Sequence, residues 1–345
     1  MAWANIGTGV KRIQGLGLRV PPRVATMRGV RFLQVTERDN RFQVTLAEAD
    51  VPTPAPGEVL VRVAASGVNR ADLSQIAGRY PPPPGESNIL GLEVSGRIAA
   101  TGEPVCALLA GGGHAEFVAA PAGQLMPVPK TVDLVTAAGI PEAYLTAFVN
   151  LVVEAGLRAG NRVLVHAGAS GVGLAAIQVA KLVGAHVAAT TRTPAKRAAL
   201  TAAGADLALT AGGQDNAAAI ERQWGRDAVD VVLDPVGAET LAGDLRVLAT
   251  GGRIVCIATM GGARTEVDLS LVMKKRARLI GSALRSRSRP EKAELVARFR
   301  DQILPGFEAG RLRVVVDAVY PPERAAEGFL RMRESRNTGK LLIAW

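Results

Sequence analysis

Residues 161–173 read Asn-Arg-Val-Leu-Val-His-Ala-Gly-Ala-Ser-Gly-Val-Gly and lead directly into Leu-Ala-Ala-Ile-Gln-Val-Ala-Lys-Leu-Val at 174–183. This order predicts a strand, a glycine-rich turn and a helix. The apolar run at 163–165 suits a buried parallel strand, and His-Val-Ala-Ala-Thr at 186–190 supplies the next strand. The stretch therefore predicts one unit of an α/β fold.

Three glycines in this turn, Gly168, Gly171 and Gly173, let the backbone turn tightly and approach a ligand without a Cβ in the way. Free N–H groups at the start of a helix attract anions. With the strand before it and the helix after it, the turn indicates a dinucleotide site, with Gly168, Gly171 and Gly173 at the pyrophosphate. The alternative is that the glycines only pack the helix onto the strand.

The residues after the second strand indicate which dinucleotide binds. Sites that prefer NAD usually carry Asp or Glu about 20 residues past the glycines, to hold the ribose 2′-hydroxyl. This chain instead has Arg192, Thr193 and Lys196, whose donors suit a 2′-phosphate. We therefore expect NADPH. The alternative is that these side chains are solvated and cap the helix that begins near Pro194.

The length and composition limit the classes of protein to which this chain can belong. The chain has 345 residues, 48% of them hydrophobic, which is enough for two domains with cores of their own. No run approaches the roughly 18 consecutive apolar residues of a membrane span. The net charge is +10, but the basic residues are dispersed rather than clustered with aromatics. We expect neither a nucleic-acid partner nor a membrane partner.

The cysteines and histidines are too few and too scattered for a disulfide framework or a zinc site. Cys106 and Cys256 lie far apart in apolar segments, which fits a reducing compartment such as the cytoplasm. The three histidines have no ligand-like spacing to each other or to a cysteine. No metal is expected.

Residues 1–26 form an N-terminal extension ahead of a strand that begins near Met27. Residues 1–36 contain basic residues and no acidic ones, as organelle transit peptides do. The other interpretation is an upstream translation start or a loosely ordered extension.

The rest of the chain shows two different sequence patterns. Short β runs broken by Pro and Gly predict a partly barrel-like β domain over 27–141, to which 285–345 returns with a helix at 291–304 and strand-like ends at 314–316 and 340–343. Residues 142–284 alternate apolar strands with Ala-rich helices, and this pattern predicts a doubly wound parallel sheet.

Several segments carry a resemblance to a known family. They include Ala-Ser-Gly-Val-Asn-Arg-Ala-Asp-Leu at 65–73, Gly-Arg-Tyr-Pro-Pro-Pro-Pro-Gly at 78–85, Ile-Pro-Glu-Ala-Tyr-Leu-Thr-Ala-Phe at 140–148, Leu-Arg-Ser-Arg at 284–287 and Asn-Thr-Gly-Lys at 337–340. Over about residues 27–345 the chain resembles the medium-chain dehydrogenase/reductase superfamily, and within it the zinc-free quinone oxidoreductases of the zeta-crystallin type. The branch induced by a tumour-suppressor protein is the most similar. The resemblance implies a Rossmann domain with a GroES-like β domain, NADPH as cofactor and a homodimer.

The resemblance also implies roles for individual residues. Asn69 would lie near the nicotinamide ribose and belong to the catalytic site. Ser170 and Gly171, with Val172 beside them, would lie at the pyrophosphate. Met260, Ser282 and Leu284 would hold the carboxamide end, and Lys340 would contact a phosphate. Tyr80 would line the acceptor site, where its phenol can hydrogen-bond a quinone oxygen. The alternative for Tyr80 is that it only packs beside the proline run.

Zinc alcohol dehydrogenases have a Cys ligand where this chain has Ser66, and a Gly-His-Glu motif where it has Gly-Leu-Glu at 91–93. Without a polarising metal, the acceptor must take hydride readily, as a quinone or conjugated enone does. Quinone reduction is the leading hypothesis. The rivals are reduction of an enoyl or alkenal double bond, and binding of NADPH without turnover. Strand 253–257 is expected at the sheet edge that pairs with a second copy.

Overall fold

The computed structural model describes residues 29–39, 41–211 and 215–345. The extension expected over residues 1–26 lies outside these ranges. Within them the strands are β1 (Val30–Arg38), β2 (Arg41–Ala49), β3 (Glu58–Val68), β4 (Glu93–Ile98), β5 (Pro104–Leu108), β6 (Phe117–Pro121), β7 (Leu125–Pro127), β8 (Arg162–Val165), β9 (His186–Thr191), β10 (Leu207–Thr210), β11 (Val229–Asp234), β12 (Leu248–Cys256), β13 (Arg278–Gly281), β14 (Val316–Tyr320) and β15 (Lys340–Ala344).

The α-helices of the same ranges are α1 (Arg70–Ile76), α2 (Pro141–Phe148), α3 (Gly171–Val183), α4 (Arg197–Ala202), α5 (Asp215–Trp224), α6 (Leu241–Val247), α7 (Leu269–Lys275), α8 (Arg289–Gln302), α9 (Pro305–Glu308) and α10 (Ala325–Arg333). A π-helical segment, Val149–Glu154, continues α2.

Six parallel strands form the sheet that carries the glycine turn. Their order is β10, β9, β8, β11, β12, β13. Counted from β8 as the first strand, this is the order 3-2-1-4-5-6 of a doubly wound sheet, whose winding reverses between β8 and β11. The predicted fold class is confirmed. In such sheets ligands bind at the carboxyl ends of the strands, beside this reversal.

The prediction that residues 253–257 form an edge strand is wrong. Residues 253–257 belong to β12 and its end, and β12 pairs with β11 on one side and with β13 on the other, where Arg253 lies opposite Arg278. The two edge strands of this sheet are β10 and, on the side of β12, β13. Its sequence, Arg-Leu-Ile-Gly, has only two large apolar residues, too short a run to stand out as a strand.

The other large sheet is built around β3, which is long enough to have three neighbours. Its order is β14, β15, β3, β4, β5, β7, and β6 also pairs with β3. Along one edge of β3, β6 pairs with residues 58–62 and β15 with residues 65–68, while β4 covers the opposite edge. This sharing of one edge curls the sheet toward a barrel. The two last strands of the chain, β14 and β15, thus belong to the sheet built around β3.

The helical stretch Thr136–Glu154 runs through the main core. Its length and apolar composition would allow it to cross a membrane, but 72% of its most apolar window is buried inside the protein. Phe148 packs on Phe299 of α8 with ring centroids 5.9 Å apart. The stretch is therefore a core helix that joins the helices on one face of the parallel sheet to β15 and β4.

Candidate functional site

The glycine turn joins β8 to α3. Ser170 caps α3, and its Oγ accepts a hydrogen bond from Gly173 N at 3.0 Å. Ser170 forms an isolated parallel bridge with Gly339, the residue before β15, so the turn is also paired with the end of the chain. The N–H of Val172 makes no hydrogen bond in the part of the chain that the structure describes. The start of a 13-residue helix suits an anion. A pyrophosphate at this turn remains a prediction.

Close packing also demands these glycines. A Cβ on Gly173 would lie 2.4 Å from the Ala167 carbonyl oxygen, and one on Gly168 would lie 3.0 Å from the Cβ of Ala189. A Cβ on Gly171 would lie 2.6 Å from Cδ of Lys340, which belongs to β15. Packing against neighbouring atoms thus requires glycine at positions 168 and 173. Gly171 instead lets the last strand, β15, approach the turn.

A buried histidine braces the strand ends beside the turn. His166 directly follows β8, and its two ring nitrogens lie 3.0 Å from Thr190 Oγ1 and 2.6 Å from Asp244 Oδ1. Burial lowers the pKa of His166, but the attraction of Asp244 outweighs it and the pKa is raised overall. These two contacts tie β8 to β9 and α6, so His166 supports the turn.

Three cationic side chains meet around Ser335. Arg192 Nη2 donates to Ser335 Oγ at 2.6 Å, and Arg70 Nη2 donates to the same oxygen at 2.9 Å. Lys196 Nζ donates to the carbonyls of Ser335 and Asn337, both at 2.7 Å. We call Arg70, Arg192, Lys196 and Ser335 the cation cluster. Arg192 and Lys196 were predicted from the sequence, whereas Arg70 and Ser335 were not.

The cation cluster forms no ion pair in the described part of the chain. None of its three cations lies within 4.0 Å of a described carboxylate oxygen, whereas Arg287, Arg331 and Lys340 each do. Burial, and after it the charge of Arg192, lower the pKa of Arg70. Burial also lowers the pKa of Lys196, against the attraction of Asp317. Such a cluster is suited to an external anion.

Asn69 and Lys340 meet at a buried carboxylate that the sequence alone did not single out. Lys340 Nζ forms an ion pair with Glu93 Oε1 and donates to Asn69 Oδ1 at 2.7 Å. Asn69 Nδ2 donates to Glu93 Oε1 at 2.9 Å. The other oxygen, Glu93 Oε2, accepts from the backbone N–H of Glu142 at 2.8 Å. We call Asn69, Glu93 and Lys340 the buried triad.

The contacts within the buried triad restrict the phosphate-binding role expected for Lys340. Its ammonium is already held by Glu93 and Asn69, and the residue is only 4% exposed. A phosphate contact by Lys340 therefore remains a prediction, and it would require the ammonium to leave Glu93. Asn69 is 8% exposed and caps α1, so its side chain is fixed in place.

Tyr80 lies against Arg285, which follows the edge strand β13 of the parallel sheet. The Arg285 Cζ atom is 5.2 Å from the centroid of the Tyr80 ring, and Arg285 Nη1 donates to the Tyr80 carbonyl at 3.0 Å. Burial, and after it the charge of Glu142, raise the pKa of Tyr80. The phenol therefore stays protonated as a hydrogen-bond donor, and it makes no hydrogen bond to any described residue. The contact between Tyr80 and Arg285 thus joins the segment after α1 to the segment after β13.

Glu142 is the second residue of α2, and the sequence analysis did not single it out. Its side chain is partly exposed, and its carboxyl makes no hydrogen bond in the described part of the chain. Burial, and after it the neighbouring carboxylate of Glu93, raise the pKa of Glu142 to about 8. The sequence signal that points to it is an acidic residue directly after Pro141 in an otherwise apolar helix.

The remaining predicted residues lie at the carboxyl ends of strands. Met260 follows β12 and is 46% exposed, Ser282 follows β13 and donates its N–H to Cys256 O at 3.1 Å, and Leu284 is buried in the main core. Thr193 begins the short turn that carries Lys196. Their contacts to a cofactor remain predictions.

Neither position compared with zinc ligands offers a free ligand. Ser66 is fully buried, and its Oγ lies 2.8 Å from His114 Nδ1 and accepts from Trp345 Nε1 at 3.2 Å. Leu92 is 1% exposed. In the described ranges no group of three or more His, Cys, Asp or Glu residues is placed to hold a metal ion.

Comparison with known proteins agrees with this arrangement. Residues 55–130 match the family described as the alcohol dehydrogenase GroES-like domain, and residues 171–300 match the zinc-binding dehydrogenase family. The quinone oxidoreductase of Sus scrofa is 30% identical over 308 residues, which cover 86% of this chain and 92% of that protein.

Two solved structures are similar over nearly the whole chain. The quinone oxidoreductase of Thermus thermophilus, solved alone and with NADPH, is 32% identical with a TM-score of 0.76, over 91% of this chain and all of that one. The CurK enoyl reductase is 26% identical with a TM-score of 0.78, over 91% of this chain and 99% of that one.

Removing the ammonium of the buried triad should destabilise the fold. Lys340→Met leaves Glu93 as a buried carboxylate without its cation, and we expect a loss of about 3–5 kcal/mol in the free energy of unfolding, measured with urea. Lys181→Met breaks a half-exposed ion pair with Asp206 and should cost less than about 1 kcal/mol. Adding Glu93→Gln to Lys340→Met should recover much of the loss. Equal costs for the two lysine variants would contradict this account.

Proposed function

This chain belongs to the medium-chain dehydrogenase/reductase superfamily, in its zeta-crystallin-like quinone oxidoreductase group, and we propose that it is an NADPH-dependent quinone reductase. It is an oxidoreductase of a family that binds a nicotinamide cofactor. The observation that carries the proposal beyond the family is the cation cluster at the carboxyl end of β9.

The cation cluster supports NADPH over NADH. A 2′-phosphate carries up to two negative charges, and Arg70, Arg192 and Lys196 bring three positive ones to a place where they have no carboxylate partner among the described residues. Hydrogen bonds between charged partners of this kind are short and strong. A 2′-hydroxyl would leave those charges unpaired.

The residues of this chain would hold the cofactor and orient the acceptor. The glycine turn would take the pyrophosphate, the cation cluster the 2′-phosphate, and Asn69 with the segments at Met260, Ser282 and Leu284 the nicotinamide end. Bound NADPH would supply the hydride. The Tyr80 phenol, protonated and without a partner among the described residues, would donate a hydrogen bond to the acceptor oxygen.

An enoyl or alkenal reductase is the second candidate, because the CurK enoyl reductase shares the fold over nearly the whole chain. Both substrates are conjugated acceptors, so the same orientation of hydride and oxygen would serve either. We favour quinones because the two quinone oxidoreductases described above match this chain over nearly their whole length as separate proteins. We place the enzyme in the cytoplasm, with a small-molecule acceptor as its partner.

The choice of acceptor can be tested with purified protein. We expect NADPH oxidation, followed by its near-ultraviolet absorbance, to be at least about tenfold faster in kcat/KM with quinones than with enals or enoyl thioesters, since only the reduction of a quinone gives an aromatic product. The opposite ranking would make the chain a double-bond reductase. Binding of NADPH without oxidation across the whole panel would overturn both assignments.

The cofactor preference depends on single charges. Arg192→Ala and Arg70→Ala should each raise the Kd of NADPH by about 10- to 100-fold, which corresponds to the loss of one hydrogen bond between charged groups, about 1.5–3 kcal/mol. The Kd of NADH should stay nearly unchanged. Arg300→Ala, at a half-exposed position of α8, serves as the control. Equal weakening of both cofactors by Arg192→Ala would argue against the 2′-phosphate assignment. Titration of cofactor fluorescence measures these dissociation constants.

We also propose a homodimer, now through β13 rather than β12. Beside this edge strand, Leu269 and Met273 of α7 are 70% and 73% exposed, and Leu279 of β13 is 45% exposed. A bare strand edge with apolar neighbours favours pairing with a second copy.

A charge on this edge should dissociate the dimer. Leu279→Asp places like charges near each other across a two-fold axis, so light scattering at micromolar concentration should give the monomer mass instead of the dimer mass. Val319→Asp is the matched control, since Val319 is 47% exposed on β14 of the other sheet. A wild-type monomer, or a Leu279→Asp variant that remains dimeric, would count against this interface.

A further inference from the structure

We propose that the Ser335 hydroxyl is a ligand for the 2′-phosphate of NADPH, and that this residue helps to decide between NADPH and NADH. The inference rests on the proposed function, because it takes the cation cluster as the 2′-phosphate site. It adds a neutral donor to that site, from a residue whose backbone conformation would suit glycine better.

Ser335 lies just after α10, at a position that favours glycine. Its N–H donates to the Met332 carbonyl at 2.9 Å, and the Arg336 N–H donates to the Arg331 carbonyl at 3.0 Å. These two hydrogen bonds form a Schellman motif, in which the residue with left-handed backbone is usually glycine. Ser335 takes that conformation with a φ of +56°. Any side chain at this position therefore costs stability that glycine would not cost.

Ser335 contacts all three cations of the cation cluster. Its Oγ accepts hydrogen bonds from Arg192 Nη2 at 2.6 Å and from Arg70 Nη2 at 2.9 Å. Its carbonyl oxygen accepts from Lys196 Nζ at 2.7 Å. Arg192 and Lys196 follow β9 of the parallel sheet, whereas Arg70 begins α1. One residue thus gathers cations from distant parts of the chain around a single oxygen and its neighbouring carbonyl.

The Ser335 hydroxyl still has a proton to donate. A hydroxyl has two lone pairs and one O–H donor. Arg70 and Arg192 occupy both lone pairs, and the O–H donates to none of the described residues. A phosphate oxygen held by the same two arginines can accept that proton in a hydrogen bond, which is strong because the acceptor is charged. Ser335 is only half-buried, so a ligand can reach it.

Glycine at position 335 would relieve the backbone strain but would lack the hydroxyl. The two guanidinium groups would then lose the oxygen that they share, and the site would lose its neutral donor. Residues in strained backbone conformations are concentrated at binding and catalytic sites, where the strain is offset by function. We therefore assign the serine to ligand binding rather than to the helix end that it terminates.

The decisive variant is Ser335→Gly, which removes the hydroxyl and the strain together. We expect the Kd of NADPH to rise by about 10- to 100-fold, the loss of one hydrogen bond to a charged group, and the Kd of NADH to stay nearly unchanged. The midpoint of thermal unfolding without cofactor should be at least as high as that of the wild type. A purely structural serine would give a lower midpoint and an equal loss of both cofactors.

Arg276→Gly is the matched control. Arg276 follows α7 with a φ of +48°, and its N–H donates to the Met273 carbonyl at 3.0 Å, so it is also a side chain in left-handed backbone at a helix end. It is exposed and makes no contact with the cation cluster among the described residues. The variant should raise the unfolding midpoint for the same reason and leave the Kd of both cofactors as in the wild type.

A fragment of the cofactor tests the 2′-phosphate by itself. In calorimetric titrations, adenosine 2′-monophosphate should bind the wild type more tightly than adenosine 5′-monophosphate does. Ser335→Gly and Ser335→Ala should each remove most of this difference. Ser335→Ala lacks the hydroxyl but keeps a Cβ in the left-handed conformation, so its unfolding midpoint should lie below that of Ser335→Gly.

The outcomes separate this inference from the proposed function. Ser335→Gly with an NADPH affinity within about threefold of the wild type, or with equal weakening of NADPH and NADH, would overturn the inference alone. A wild type that prefers NADPH, loses the preference in Ser335→Gly and reduces no acceptor would support the inference and overturn the quinone reductase. A wild type with no preference for NADPH would overturn both.

Discussion

The approach of the last strand to the glycine turn is the contact on which the site depends. Gly339 N donates to the Ala169 carbonyl at 2.9 Å, and Lys340, the next residue, packs its side chain where a Cβ of Gly171 would lie. The ammonium of Lys340 then reaches the carboxylate of Glu93 on β4. One short segment therefore joins the parallel sheet to the sheet built around β3, across the site.

Charge is distributed unevenly along this junction. The buried triad pairs one positive with one negative charge, and its other polar atoms have hydrogen-bond partners. A buried ion pair is stable only when those atoms are also hydrogen-bonded. In the cation cluster, by contrast, three positive groups share the oxygens of Ser335 and Asn337, and no described carboxylate lies within ion-pair distance. The first arrangement holds β4, β15 and the start of α2 together, and the second leaves charge available for a ligand.

The same contrast separates the carboxyl groups near Tyr80. Glu93 is bonded on both oxygens, whereas the Glu142 carboxyl makes no hydrogen bond to a described residue and is disfavoured as an anion by its neighbours. Two acidic residues joined by one backbone hydrogen bond thus differ in their chemistry.

The sequence by itself determined the doubly wound sheet and the glycine turn, because local periodicity and glycine spacing are properties of short segments. It also pointed to Arg192 and Lys196, since these follow β9 at a known distance from the turn. The tertiary structure alone decided that β13 is the edge strand, that Arg70 and Ser335 join the cation cluster, and that Glu93 holds Lys340. Arg70 and Ser335 lie 265 residues apart in the chain, and such pairings follow from how the sheets pack rather than from any local pattern.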